Sequence, residues 1–331
     1  MNFFSSPEFL TVVAQVFYPG RAYDIGLASV GPKCFQTLIL KGPSQAVARV
    51  PFLDFFEEIA ETNPGGATAV KGLVPLSTGV VTSSSWLEQR ASDSETPGAH
   101  QQIVPAPHVQ WRIFPTFESF RAHVRARSPF PFNVSKRKIR KLEREFGGVT
   151  FAFHDPDAAV LERCLAWKSE QYRRTGLWDL FASERNRALF HELNRRGLLT
   201  TTALRAGDSL LGVHLGVLHQ GRFYSWLPSY DPDFHKFSPG TLLFDYLLEQ
   251  SYQRKHEIFD FLIGDEAYKW NYATHAHKVL ECGTPSLSQR VYEPLREAVV
   301  ARLRGDNRIY KTLQALKRRA LEYRLRRGKS I

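Results

Sequence analysis

The chain has 331 residues, 43% hydrophobic and 23% charged, which excludes a disordered, collagen-like or coiled-coil protein and suits two domains of roughly 100–200 residues. Its 44 Lys and Arg against 33 Asp and Glu give a net charge of +11. Eleven basic against two acidic residues in 301–331, and nine against one in 121–144, account for more than all of that excess, so a uniformly basic surface is excluded.

Residues 3–18 set Phe3, Phe4, Phe9, Leu10, Val13 and Val16 at near-helical spacing, with Pro7 where a first turn tolerates it and Pro19-Gly20 as a stop. Apolar runs at 22–30, 35–40 and 69–81, separated by Gly/Pro turns, predict strands, with a short helix over 52–60. From Thr82 to Pro107, Ser, Asp, Gln, Pro and Gly dominate. This reads as a surface loop or linker closing an N-terminal α/β domain over 1–107. A second domain follows over 108–300, with 301–331 as a basic helix.

The second domain opens with a predicted strand over 109–114 and a helical region broken at Ser128–Pro131. Asn133 or Ser135 caps a helix over 136–146, which Gly147-Gly148 ends. A strand over 149–153 and helices over 157–175 and 184–196 come next. Three strands, 198–205, 209–219 and 223–230, are joined by hairpin-length turns at Ala206–Asp208 and Gln220–Arg222. A loop over 231–239, an amphipathic helix over 241–255 and an apolar strand over 257–263 complete the pattern. Two strands flanking one helix argue a parallel crossover attached to an antiparallel meander.

Two segments carry candidate chemistry. At Phe237–Leu242, Ser238 can cap a helix, Pro239 fits its first position, and Gly240 lets a ligand approach the backbone. The N–H groups of Gly240, Thr241 and Leu242 then point from a positive dipole end, a phosphate site; the same junction also reads as a capped helix and nothing more. In Phe259–Trp270 an apolar strand ends at Gly264, and two carboxylates, a phenol, an amine and an indole follow. Ligands collect at such strand ends, carboxylates there can take a proton, and a tyrosine or lysine can donate one or stabilise negative charge. An exposed charged turn is the other reading.

Elsewhere the sequence is less specific. His214 and His219, five apart in a strand, face opposite sides, and Cys164 sits in an apolar helical register. Cys34, Cys164 and Cys282 lack metal or disulfide-framework spacing. No serine-hydrolase elbow, Walker loop or dinucleotide glycine motif occurs. No run reaches the roughly 20 apolar residues that cross a bilayer, and the first residues lack a signal-peptide pattern. A soluble, cytoplasmic protein without a metal is expected.

The order Lys136–Leu142, Gly148-Val149-Thr150-Phe151, then Lys168, Gln171, Tyr172 and Gly176 resembles the GNAT acyltransferases of the CelD/BcsL type, relatives of the FemAB peptidoglycan aminoacyltransferases. So does the run from Tyr230-Asp231 through Phe237–Gly240 to Phe259-Asp260-Phe261 and Gly264–Lys269. The resemblance covers about 133–275 and implies a GNAT-like α/β fold with a mixed sheet, the first half a diverged relative of the second. It implies an acyl donor between two splayed parallel strands, its pyrophosphate on the helix N-terminus. The donor contacts would be Ser238, Gly240, Thr241, Leu242 and Tyr230. In Fem relatives an aromatic-Lys pair at the place of Tyr268-Lys269 lies in the substrate site. One departure is that His235–Gly240 has a proline and a single glycine where the GNAT phosphate loop has two small residues, which leaves the donor open.

The expected reaction is direct transfer of an acetyl or longer acyl group from a thioester, acyl-CoA or an acyl carrier protein. The acceptor would be an amine or hydroxyl of an envelope- or exopolysaccharide-related molecule, small or lipid-linked. Asp265 or Glu266 would act as base or amine-positioning group, Tyr268 as proton donor to the thiolate, and Lys269 as a charge stabiliser. Trp226 and Tyr230 would line the acyl channel, with Trp270 and Gln171 as substrate contacts. The alternatives are an aminoacyl-tRNA-dependent transferase, with RNA as partner, and a non-catalytic adaptor. In the tail, Ile309, Leu313, Leu316, Ala320 and Tyr323 form one apolar stripe amid Lys and Arg. That helix suits docking on its own domain, RNA, or an anionic membrane surface, which would place the protein at the inner face of the membrane.

Overall fold

The computed structural model describes residues 2–30, 33–42, 46–48, 50, 57–58, 72–82, 102–127, 131–175 and 179–284. The tail 301–331 and residues 83–101 of the expected linker lie outside the described residues.

Helix α1 (Pro7–Phe17) follows its sequence signals. The Ser6 hydroxyl accepts the Phe9 amide, Pro7 opens the first turn, and Phe9, Leu10, Val12 and Val13 are buried. A three-stranded antiparallel sheet follows, β1 (Tyr23–Val30), β2 (Lys33–Leu40) and β3 (Ala46–Val47).

A nine-stranded mixed sheet carries the rest. Its spatial order is β4 (Glu57–Glu58), β5 (Gly72–Thr82), β12 (His275–Thr284), β6 (Gln102–Gln110), β11 (Ile258–Asp260), β10 (Arg222–Tyr230), β9 (Ser209–His219), β8 (Thr200–Ala206) and β7 (Val149–Ala152). Among the described strands of this sheet, only β4–β5 and β10–β11 pair parallel. The meander and the crossover stand as the sequence predicts.

Three expectations need correction. Glu57–Glu58, inside the expected helix over 52–60, pair with β5; the remainder of that stretch lies outside the described residues. Residues 102–107, expected as linker, form the first part of β6, so the expected boundary at 107/108 falls within a strand. Its prolines supply acceptors: Pro105 and Pro107 carbonyls take the Gly264 and Phe261 amides at 2.9 and 3.0 Å. At the other end, residues 111–113, expected as strand, turn as a short 3-10 helix that buries Trp111, whose indole donates to Ser251 at 2.8 Å.

The helices are α2 (Phe117–Arg127), α3 (Asn133–Phe146), α4 (Ala158–Thr175), α5 (Glu184–Arg195), α6 (Pro239–Gln253) and α7 (Ala267–Tyr272). Neither expected cap starts α3; it follows Phe132 at φ +62° with no side-chain cap, and the Ser135 hydroxyl donates to Asp245 instead. On one face of the sheet α1, α4 and α5 bury Phe4, Phe9, Leu165 and Phe190 against Val213, Leu215, Tyr224 and Trp226. On the other, α2, α6 and α7 enclose Phe120, Phe244, Leu247 and Tyr272 against Phe223, Phe259 and Phe261. Each such fully buried Phe or Leu contributes about 1.5–3 kcal/mol.

Candidate active site

The site begins where two parallel strands part. The β10–β11 pairing runs Arg222↔Ile258, Phe223↔Phe259, Tyr224↔Asp260 and stops. Strand β10 continues to Tyr230, while β11, expected to reach Ile263, ends at Asp260. The cause is local: wholly buried Asp260 accepts the Leu262 amide at 2.8 Å and holds Leu262 at φ +59°, outside strand geometry. Arg222 anchors the same carboxylate at 3.2 Å. Burial raises the Asp260 pKa, and Arg222 opposes that rise.

Beyond the split, β10 gains one residue against β9: Ser225 faces Gly216, Leu227 faces Leu215, and Trp226 is the bulge. The gap is a cleft of about 590 Å³ lined from both layers, by Lys168, Gln171 and Tyr172 of α4 and by Thr241, Phe244, Tyr268 and Tyr272 of α6 and α7. Ser225, Tyr230, Gly240, Glu266 and Lys269 also line it. Lys168 donates to the Pro228 carbonyl at 3.2 Å.

Lys269 is buried and donates to the Ile263 carbonyl at 2.7 Å, and its ammonium stands 2.9 Å from the Glu266 carboxylate. Gly264 makes this possible. Its φ is +128°, and a Cβ there would stand 2.9 Å from Lys269 Nζ and overlap the Glu266 carboxylate. Tyr268 is exposed, its ring 5.3 Å from Phe244. Tyr272 donates to Asp245 at 2.9 Å, and that carboxylate also accepts the Phe132 amide and the Ser135 hydroxyl. Burial pushes the Asp245 carboxyl up to about 6, and it also pushes up the Tyr272 phenol.

The geometry sorts the expected residues. Glu266, Tyr268, Lys269, Tyr230, Gly240, Thr241, Gln171 and Trp226 meet at the cleft, although the Trp226 ring packs among Phe4 and Phe190 in the core. Asp265 and Trp270 pair with each other, Trp270 Nε1 donating at 2.9 Å, and neither lines the cleft. Leu242 is a core residue beside Leu142 and Leu204. Ser238 stands at the N-cap position, but its side chain makes no capping hydrogen bond: it sits at φ +53°, and its hydroxyl accepts from Lys138, a residue of α3. The Thr241 and Leu242 amides donate to the Ser238 carbonyl at 3.0 and 3.2 Å, so neither is available as expected. What remains at this helix end is Gly240, where an added Cβ would meet nothing nearer than Tyr230 at 3.8 Å, with the Lys138 cation beside it. Burial and Arg137 lower the Lys138 pKa.

Residues 132–270, from the start of α3 into α7, match the family described as Acetyltransferase (GNAT) domain. That match supports a GNAT-type acetyltransferase domain over these residues, and with it an acyltransferase. The match spans the split strands and the cleft. FemX shares the fold with a TM-score of 0.51 at 9% identity, over 88% of this chain and 94% of its own. L-PGS from Bacillus licheniformis aligns with a TM-score of 0.43 at 14% identity, over 91% and 98%. A GCN5-related N-acetyltransferase from Kribbella flavida aligns with 0.36 at 9%, over 87% and 99%. No curated protein sequence matches the chain significantly.

Sequence reasoning missed Asp245, Ser225 and Tyr272. Asp245 left one signal, a lone carboxylate among Leu242, Leu243, Phe244, Leu247 and Leu248 on the buried side of α6. Ser225 and Tyr272 gave none, since only the strand split brings them to the cleft.

Proposed function

We propose that the cleft transfers an acyl group directly from an acyl-CoA thioester to an amine, with a hydroxyl as the less favoured nucleophile. The observation that supports this most is the parting of β10 and β11 beyond Tyr224 and Asp260 into a cleft edged by the Glu266–Lys269 pair. The residues fit such a donor: Gly240 leaves the backbone open, Lys138 adds positive charge at the helix end, and both layers enclose an acyl chain. The bound thioester supplies an activated carbonyl.

Direct transfer needs proximity, a base and stabilisation of developing charge, not an enzyme nucleophile. Glu266, exposed at the rim and held by Lys269, takes the amine proton. Asp265 is the weaker choice, because Trp270 engages it away from the cleft. Lys269 neutralises charge at the reacting centre, and Tyr268 protonates the departing thiolate. We assign the acceptor to envelope- or exopolysaccharide-related precursors, in keeping with the CelD/BcsL-like motifs. The basic tail would bring the enzyme to the inner membrane face.

The test is release of CoA thiol from acetyl- to palmitoyl-CoA against a panel of amino sugars and lipid-linked amines. Acceptor-dependent release supports the reading; its absence while donor binds refers the acceptor to another class, and failure of every thioester to bind refers the donor to another class. Sedimentation with anionic liposomes at low and high salt, before and after truncation following Gly305, tests the membrane arm.

One observation favours a second reading, aminoacyl-tRNA as donor. Lys136, Arg137, Arg140, Lys141 and Arg144 are exposed on α3, which packs against α6, a helix that lines the cleft. Turnover of charged tRNA, falling steeply with salt, would select it.

A further inference from the structure

We infer that Ser225, oriented by His214, donates a hydrogen bond to the carbonyl oxygen of the acyl donor as negative charge builds there. This rests on the acyl-transfer reading above. Ser225 is the first residue of β10 past the last pair with β11, so it stands at the apex of the split and lines the cleft. A carbonyl inserted between the strands meets this position first.

His214, on the neighbouring β9, is fully buried, and its Nε2 lies 2.8 Å from Ser225 Oγ. Its other ring nitrogen, Nδ1, is buried without a hydrogen-bond partner. A proton on Nδ1 would face only the backbone carbonyl of its own residue, outside hydrogen-bond geometry, a poorer arrangement for a buried donor than a bare nitrogen in the same place. The proton therefore sits on Nε2 and is donated to Ser225 Oγ. The surroundings keep the ring neutral: Phe223 and Phe244 pack on it, and burial lowers its pKa to about 3.

A serine hydroxyl has one proton and two lone pairs. With one lone pair filled by His214, the hydroxyl proton turns from the imidazole toward the cleft. Ser225 is thus a preorganised donor, the kind of group that gains most as a carbonyl becomes tetrahedral. Neither side chain forms a bond to the acyl group or gives up its proton; Ser225 is the catalytic residue and His214 a positioning residue.

The experiment reads the infrared carbonyl stretch of [1-13C]acetyl-CoA bound to the full-length protein. In the wild type the band lies below that of free acetyl-CoA. Ser225→Ala returns it toward the free position and lowers turnover about 10²-fold, with donor affinity retained. Ser225→Thr keeps the shift. His214→Leu weakens it, and His214→Gln, which again offers an N–H to Oγ, restores it. An unshifted band in the wild type, or a Ser225→Ala band identical to the wild type, overturns the inference alone. Should the wild type bind no acetyl-CoA, the donor reading fails and takes this inference with it.

Discussion

Asp260 accepts the backbone amide of Leu262 at 2.8 Å, and that one hydrogen bond turns the chain out of β11 at the point where the cleft opens. The carboxylate is wholly buried and answered by Arg222 at 3.2 Å. The carbonyls of Leu262 and Ile263, just past the turn, then receive the Lys269 ammonium. An ion pair with a buried carboxylate thus sets the backbone that edges the cleft.

Asp260→Ala removes the acceptor for Leu262 and leaves Arg222 poorly paired, so unfolding in urea should show a loss of about 3 kcal/mol. Asp260→Asn keeps an acceptor for Leu262 and should lose less. If both variants are equally destabilised, the amide contact is not what holds the turn.

This turn also explains what the sequence concealed. The apolar periods of α1, the β8–β10 meander and α6 are local properties, and those elements stand where the pattern placed them, within a few residues at their ends. Strand β11 ended early because a side chain captured its own backbone, which no hydrophobic period records. The polar, proline-bearing stretch before Val109 concealed most of β6, whose partners are β11 and the distant β12. Ser238 stands at the expected cap position without a side-chain cap, its hydroxyl turned to Lys138 instead. In the site, Glu266, Tyr268 and Lys269 were legible as polar groups crowded after a strand. Asp245 and Ser225 were not, because their contacts, with Tyr272 and Ser135 for the one and His214 for the other, are made only by the fold.

Gly240 offers a test of donor binding that spares the fold. A Cβ there would meet only the Tyr230 ring, at ordinary contact distance, yet it would cover the open backbone at the start of α6. Gly240→Val should weaken acetyl-CoA binding by titration calorimetry about tenfold or more, or about 1.4 kcal/mol, with the thermal midpoint nearly unchanged. Equal affinity for both proteins would remove the helix end from the donor site.

Tyr268→Phe deletes one hydroxyl from an exposed ring that packs on Phe244. Loss of a proton donor to the leaving thiolate should reduce kcat by about 10²-fold with donor affinity unaltered. A variant that turns over normally assigns Tyr268 to packing against Phe244 and returns the thiolate's proton to another group.

Asp245 predicts a pH dependence of stability. Its carboxyl is pushed up to about 6 from an ordinary 3.8, chiefly by burial; the donated hydrogen bonds from Ser135, Tyr272 and the Phe132 amide oppose that rise. The folded state therefore holds this proton more tightly than the unfolded chain does. Its contribution is present in full below about pH 4 and lost as pH rises through about 6. At 1.36 kcal/mol per pKa unit the loss is about 3 kcal/mol. Asp245→Asn keeps the shape and cannot ionise, so it lacks this slope. Urea unfolding from pH 4 to pH 7 should show the wild type losing ground to Asp245→Asn across that window and running parallel to it above pH 7. Parallel curves throughout would mean that the carboxyl titrates as if in water, and that the α3–α6–α7 junction tolerates its charge.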